Sequence, residues 1–121
     1  MVNPSSPRGK VVLVRFPFDD LVTAKVRPAL CLTHSIGPYQ HVLLAFITSR
    51  IPDSPLPTDI IFKPSHPDFV ASGLRKPSAL RLHYLMTAKL SVILRELGVL
   101  SQPTQEKVAR RLCSLFIDPV L

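Results

Sequence analysis

Proline constrains this chain more than any other residue. Thirteen prolines stand in 121 residues, against only four glycines. A proline fixes its own φ, has no N–H to give, and disfavours helical geometry in the residue before it. Stiff loops and short regular segments follow from this, rather than helical repeats. The apolar blocks fit. Residues 11–18 read VVLVRFPF, residues 29–32 read ALCL and residues 41–47 read HVLLAFI. β-Branched and aromatic residues favour strands. The third block is apolar throughout, so it is expected in the middle of a sheet. Pro17 places the first block near an edge or a bend.

The remaining segments extend the pattern. Residues 1–8 are polar and are expected to form a flexible arm, with one domain over 9–121 and Gly9 opening the first strand. Residues 19–26 form a loop that starts with an Asp19-Asp20 turn. Residues 34–40 turn around Gly37-Pro38, and Pro52, Pro55 and Pro57 exclude regular structure from 50–57. Residues 59–62 (DIIF) and 78–82 (SALRL) predict two further strands. Between them 63–76 reads as a long loop, of a length that usually serves function. Residues 88–97 fit two descriptions. Leu90, Ile93, Leu94 and Leu97 have helical spacing with Thr87 as N-cap, while 93–97 also alternates as a strand. The last segment predicts a helix capped by Ser101 with Pro103 in its first turn. Its Val108, Leu112, Leu115 and Phe116 share a packing face, opposite Lys107, Arg110 and Arg111. Short strands, proline-rich loops and a terminal helix together predict a mainly β fold, a small barrel.

Charge narrows the partners. The net charge is +7 and the isoelectric point near 10.0. Such a balance favours nucleic acid, anionic lipid or an acidic protein. Cys31 and Cys113 lie far apart in apolar stretches and predict buried free thiols in a reducing cytoplasm. No CxxC spacing or Cys/His cluster points to a metal. No signal peptide or 18-residue apolar run points to a membrane. The four histidines, His34, His41, His66 and His83, read as surface residues at loops and strand ends.

One pair carries chemistry. Arg27 stands where a polar loop meets a buried strand, and Pro28 drives it toward an extended conformation. Thr48 ends the third strand. RNA can be cut without a metal, because its 2′-hydroxyl attacks the adjacent phosphorus. A protein must then relieve charge on the phosphoryl oxygens. A guanidinium matches two such oxygens with a planar fork, and a strand-end hydroxyl can hold the same phosphate. An arginine before proline is also an ordinary loop residue, and Thr48-Ser49 an ordinary turn signal.

The chain resembles the MazF/PemK family of bacterial toxins. The resemblance rests on six blocks in order. They are 9–14 (GKVVLV) with 16–21 (FPFDDL), 27–30 (RPAL), 47–49 (ITS), 73–82 (GLRKPSALRL), 85–87 (LMT) and 96–101 (ELGVLS). The chain departs from the family at Lys10, at His83 and in the glycine-free loop before Arg27. The resemblance implies an SH3-like barrel (CcdB/PemK-like) with a C-terminal helix, in which 88–92 is a helical turn and 93–97 a strand. It implies a metal-independent, sequence-selective endoribonuclease without cofactor, cytoplasmic and homodimeric. It assigns catalysis to Arg27 and Thr48, with Lys25, Ser49, Arg50, Lys76, Ser78 and Arg81 as RNA-binding residues. The partners implied are single-stranded RNA and an acidic antitoxin, with a DNA-binding toxin–antitoxin complex. A gyrase-directed binding module of the same fold, or an inactive antitoxin-binding homologue, is the alternative.

Overall fold

The computed structural model describes residues 6–16 and 25–118. In chain order it contains β1 (Lys10–Phe16), β2 (Lys25–Cys31), β3 (His41–Thr48), β4 (Asp59–Phe62), α1 (Phe69–Ser72), β5 (Ser78–Lys89), a 3-10 turn (Leu90–Val92), β6 (Ile93–Val99) and α2 (Gln102–Ile117). The strands form one sheet in the order β4-β5-β3-β2-β1-β6, with every pairing antiparallel.

Alternation sends side chains of each strand into two cores. One holds Val11, Leu30, Ala45, Ile47, Phe62 and Leu80, with Val108 from α2. The other holds Val12, Val14, Ala29, Cys31, Val42 and Leu44. β3 is central as expected, paired to β2 on one side and to β5 on the other. β1 is interior too, between β2 and β6. Its expected bend at Pro17, and most of the expected 19–26 loop, lie outside the described residues.

Several boundaries differ from the sequence reading, each for a physical reason. β2 begins at Lys25, so Arg27 and Pro28 lie inside the strand, opposite Val14 and Leu13 of β1. β5 continues to Lys89 instead of ending at Leu82. Its register with β3 passes from Phe46↔Arg81 to Ala45↔Leu85, so residues 82–84 bulge out and interrupt the alternation that marks a strand. Thr87 is therefore a strand residue and caps no helix. Over 88–97 the turn and strand implied by the resemblance do form, as a 3-10 turn at Leu90–Val92 and a strand at Ile93–Val99 whose pairing with β1 overrides the helical spacing. The 63–76 loop contains the single turn α1.

The terminal helix starts after Ser101 with Pro103 in its first turn, as the sequence predicts. Val108 is buried, and Leu112 and Leu115 pack on the core. Phe116, expected on that face, is 75% exposed, and Cys113, expected buried, is exposed. At about 100° per residue, Cys113 turns to the outer side of α2, away from Val108, Leu112 and Leu115, and Phe116 sits at the margin of that packed face. Arg111 is not free on the outer face. Its Nη1 donates to the carbonyls of Pro57 (2.8 Å) and Asp59 (3.0 Å), tying α2 to the start of β4.

Two buried carboxylates organise the loops. Asp59 accepts from Arg81 Nε (3.1 Å) and Nη2 (3.3 Å) and from the Leu56 N–H (2.8 Å). Asp68 accepts from the N–H (2.8 Å) and hydroxyl (2.9 Å) of Ser101. Burial raises the Asp68 pKa, but the Ser101 and Thr104 hydrogen bonds and nearby His66 outweigh it and hold the carboxyl below the ordinary aspartate value. Where α1 meets β6 the backbones nearly touch. A Cβ on Gly98 would lie 2.0 Å from the Ala71 carbonyl oxygen, and one on Gly73 would lie 2.1 Å from that of Leu97.

Three outcomes follow in equilibrium unfolding. Gly98→Ala should lower stability by about 3 kcal/mol, because backbone must move. Gly37→Ala meets open space but holds a φ of +71° and should cost only about 1 kcal/mol. Arg81→Ala strips a buried carboxylate of its cation and should cost about 3 kcal/mol. The pH profile gives a fourth. A carboxyl depressed in the folded state stabilises at neutral pH, and that contribution disappears as pH falls below about 4. Asp68→Asn should therefore flatten the acid limb of stability against pH, and an unchanged limb would contradict the assignment.

Candidate functional site: a cationic groove at the strand ends

The β2–β3 ladder pairs Cys31 with Leu44, Leu30 with Ala45 and Ala29 with Phe46. Pro28 follows, with no N–H to extend the ladder. The paired residues end at Ala29 and Phe46; continued two steps, that register would bring Arg27 level with Thr48. Alternation puts both on the face of Ala29 and Phe46. Arg27 and Thr48 line a groove at the strand ends, whose apolar lining, Ile47, Leu74 and Leu97, belongs to the first core.

The groove encloses about 960 Å³. Its cations come from four places in the fold: Arg27 on β2, Arg50 after β3, Arg75 and Lys76 after α1, and Arg95 on β6. The one acidic lining residue is Glu96, whose carboxylate pairs with Lys10 at 3.1 Å. No ion pair among the described residues engages Arg27, Arg50, Arg75, Lys76 or Arg95. Such a surface repels itself and attracts a polyanion.

Thr48 has a defined role in the turn. Its Oγ1 accepts from the Arg50 N–H at 3.1 Å, which leaves its own hydroxyl proton free to donate into the groove. Ser49 lines the rim beside it. Ser78 also lines the groove, but it is buried and its hydroxyl donates to the Lys76 carbonyl at 2.8 Å. It shapes the wall more than it offers a contact.

The structure brings Arg27, Thr48, Ser49, Arg50, Lys76 and Ser78 together on this groove. It does not bring Arg81 there. Arg81 is held by Asp59, and its guanidinium also lies 5.5 Å from the centre of the Tyr84 ring. The alternation of 78–82 shows that Arg81 leaves the core but not that a carboxylate waits beside it. The Lys25 side chain lies outside the described residues. Sequence reasoning missed Arg75 and Arg95 as groove residues. Arg75 adjoins Lys76 in the basic run before β5, a readable signal. Arg95 becomes visible only once 93–99 is a strand paired with β1, where it stands opposite the groove residue Leu13.

None of the four histidines lines the groove. His34 bonds Ser6, His66 accepts from the Asp68 N–H, and His83 lies 4.0 Å from Asp59. Among the described residues no group of three or more His, Cys, Asp or Glu is placed to hold a metal ion, and no helix is long and apolar enough to cross a membrane. Cys31 is buried against the sheet, and that burial pushes its thiol pKa up; its Sγ donates to the Thr33 carbonyl at 3.4 Å.

Comparison with known proteins agrees with this architecture. No curated protein sequence matches the chain. Solved structures match at low identity. The Mycobacterium tuberculosis toxin MazF-mt6 superposes with a TM-score of 0.67 at 20% identity, over 88% of this chain and 95% of that one. A mycobacterial endoribonuclease in complex with its cognate antitoxin gives 0.67 at 16%, over 94% and 97%. MazF of a MazE–MazF structure from Deinococcus radiodurans gives 0.65 at 20%, over 90% and 94%. The fold, a six-stranded antiparallel sheet with a C-terminal helix, is thus MazF-like. Residues 7–116 match the sequence family described as PemK-like, MazF-like toxin of type II toxin–antitoxin system. With that match across most of its length, the chain belongs to the PemK/MazF-like toxin family.

Proposed function

We propose that this chain is the toxin of a type II toxin–antitoxin pair, a sequence-selective endoribonuclease that cuts single-stranded RNA without a metal. The observation that supports the proposal is that Arg27, which makes no ion pair among the described residues, and Thr48, whose hydroxyl keeps its proton to donate, line the same cationic groove at neighbouring strand ends. The 2′-hydroxyl gives up its proton as its oxygen attacks phosphorus, the bond from phosphorus to the 5′-oxygen breaks, and the leaving oxygen takes up a proton, so one proton is released and one taken up. Arg27 neutralises the phosphoryl oxygens as charge builds on them. The Thr48 hydroxyl donates to the same phosphate and fixes its orientation. A guanidinium pKa above about 12 makes Arg27 a poor acid, so charge stabilisation is its principal role. Arg50, Arg75, Lys76 and Arg95 hold the flanking backbone.

The same groove suits regulation by an acidic antitoxin in the cytoplasm. The charge of +7 favours such a partner, and two of the structural neighbours were solved with theirs. The exposed Leu94 and Val99 on edge strand β6, with Phe116 and Ile117 on α2, favour a two-fold homodimer.

Removing the fork should show in rate. Arg27→Ala should slow single-turnover cleavage by about 10²–10³. Arg27→Lys keeps the charge without the fork, so it should bind RNA well and cut poorly. Thr48→Ala should reduce rate more than affinity. Undiminished cleavage by Arg27→Ala would move the chemistry elsewhere. Wild-type binding of RNA without cleavage would favour a binding module or an inactive homologue. Light scattering at micromolar concentration should give the mass of a dimer, and a monomer mass would refute that assembly.

A further inference from the structure

We infer that Asp68 is a positioning residue, which sets the place of the Arg75–Lys76 wall of the groove by latching α1 to the N-terminus of α2. The inference deepens the reading of this groove as a site for single-stranded nucleic acid, and rests on that reading for its functional consequence.

Asp68 makes two kinds of contact at once. Its backbone carbonyl accepts from the Ser72 N–H at 2.8 Å, within α1. Its carboxylate reaches 33 residues along the chain to the Ser101 N–H and hydroxyl at the head of α2. The residue is only 6% exposed, and no lysine or arginine among the described residues pairs with it. A buried carboxylate without a cation is expensive unless hydrogen bonds hold it. α2 does not need it as an ordinary cap, because Ser101 is itself a good N-cap residue. Yet the Ser101 side chain bonds no backbone N–H of its own helix; its hydroxyl lies 2.9 Å from Asp68 and 3.2 Å from the Thr104 hydroxyl. The local arrangement trades a self-contained cap for a tie between two distant segments.

The tie bears on the groove through a rigid link. Asp68 opens α1. Ser72, fully buried, donates its hydroxyl to the Phe69 carbonyl and accepts the Leu74 N–H at 3.1 Å. Gly73 follows in a left-handed conformation with its backbone against Leu97 of β6. Leu74 packs on the first core, and Arg75 and Lys76 emerge into the groove. Ser78 fixes the far end through Lys76. Releasing Asp68 frees the near end. Arg75 and Lys76 keep their charges but lose their fixed spacing from Arg27 and Thr48, which stand on other elements.

The test combines binding and exchange on the full-length protein. The probe is a fluorescent, uncleavable 2′-deoxy single strand of ~12 nucleotides. For wild type, log K against log salt gives a slope that counts phosphate contacts, about 0.7 per contact on single strands. Asp68→Ala, measured where the protein is still folded, should weaken binding about tenfold and reduce the slope by about 1.4, the loss of two contacts. Arg75→Ala/Lys76→Ala should do the same, and adding Asp68→Ala to that pair should change little more. Asp68→Asn keeps an acceptor for the Ser101 N–H and should stay near wild type. Should Asp68→Ala fail to fold, Ser101→Ala removes one of the two bonds and should give a smaller shift in the same direction. Amide hydrogen exchange reads the latch without any ligand: residues 72–74, whose N–H groups bond the Asp68 carbonyl, the Val70 carbonyl and the Ser72 hydroxyl, should lose protection in Asp68→Ala while β2 and β3 keep theirs. Unchanged protection at 72–74, or a slope that stays at its wild-type value, overturns the inference. A wild-type protein that binds no single strand defeats the nucleic-acid reading instead, and exchange then decides the latch alone.

Discussion

The groove depends on the register of β3. That strand is hydrogen-bonded on both flanks, to β2 through three residues and to β5 through pairs running from His41 to Thr48. Val42, Leu44 and Ala45 are fully buried and Ile47 nearly so. A one-residue slip would exchange the two faces of the strand, put Val42 and Leu44 into the first core in place of Ala45 and Ile47, and carry Thr48 away from Arg27. The same packing that makes the slip costly therefore sets the position of Thr48 relative to Arg27. Pro28 completes the arrangement from the other side, by ending the ladder where the groove must open.

Two arginines on one sheet face show how structure and function divide. Arg81 stands beside Phe46, one row from Thr48, and Arg27 continues the row of Ala29. Arg81 is satisfied by the buried Asp59 and ties β5 to the segment before β4. Arg27 has no carboxylate within reach among the described residues. A neutralised guanidinium holds the protein together, and an unneutralised one remains available to a phosphate. The surplus of positive charge around Arg27 is tolerable because those side chains lie in water, where screening weakens their repulsion. A bound polyanion would turn that repulsion into attraction.

Much of this was legible in the residues. Short β-branched blocks between prolines predict the strands, and Ser101 with Pro103 marks the helix. Arg27 and Thr48 could be named because one precedes a proline and the other ends an apolar strand. What escaped has a common cause, because it depends on contacts between distant segments. The bulge at 82–84 hides the second half of β5 from any test of alternation. Arg81 looks as free as Arg27 until Asp59 is placed beside it. Phe116 fits the periodicity of α2 but sits at the margin of its packed face. The close approach of α1 to β6 shows only as two glycines, Gly73 and Gly98, with nothing local to say what they face.

The central claim is that the nucleophile belongs to the RNA and the charge relief to the protein. The most direct measurement uses one RNA with a mapped cut site, in excess EDTA, and the same strand with a single 2′-deoxy substitution at the nucleotide 5′ of the cut. The account predicts cleavage of the first to a 2′,3′-cyclic phosphate, with the second bound as tightly and left whole. Cleavage of the substituted strand at that site, or no cleavage of the unmodified RNA until a divalent metal is added, would contradict it.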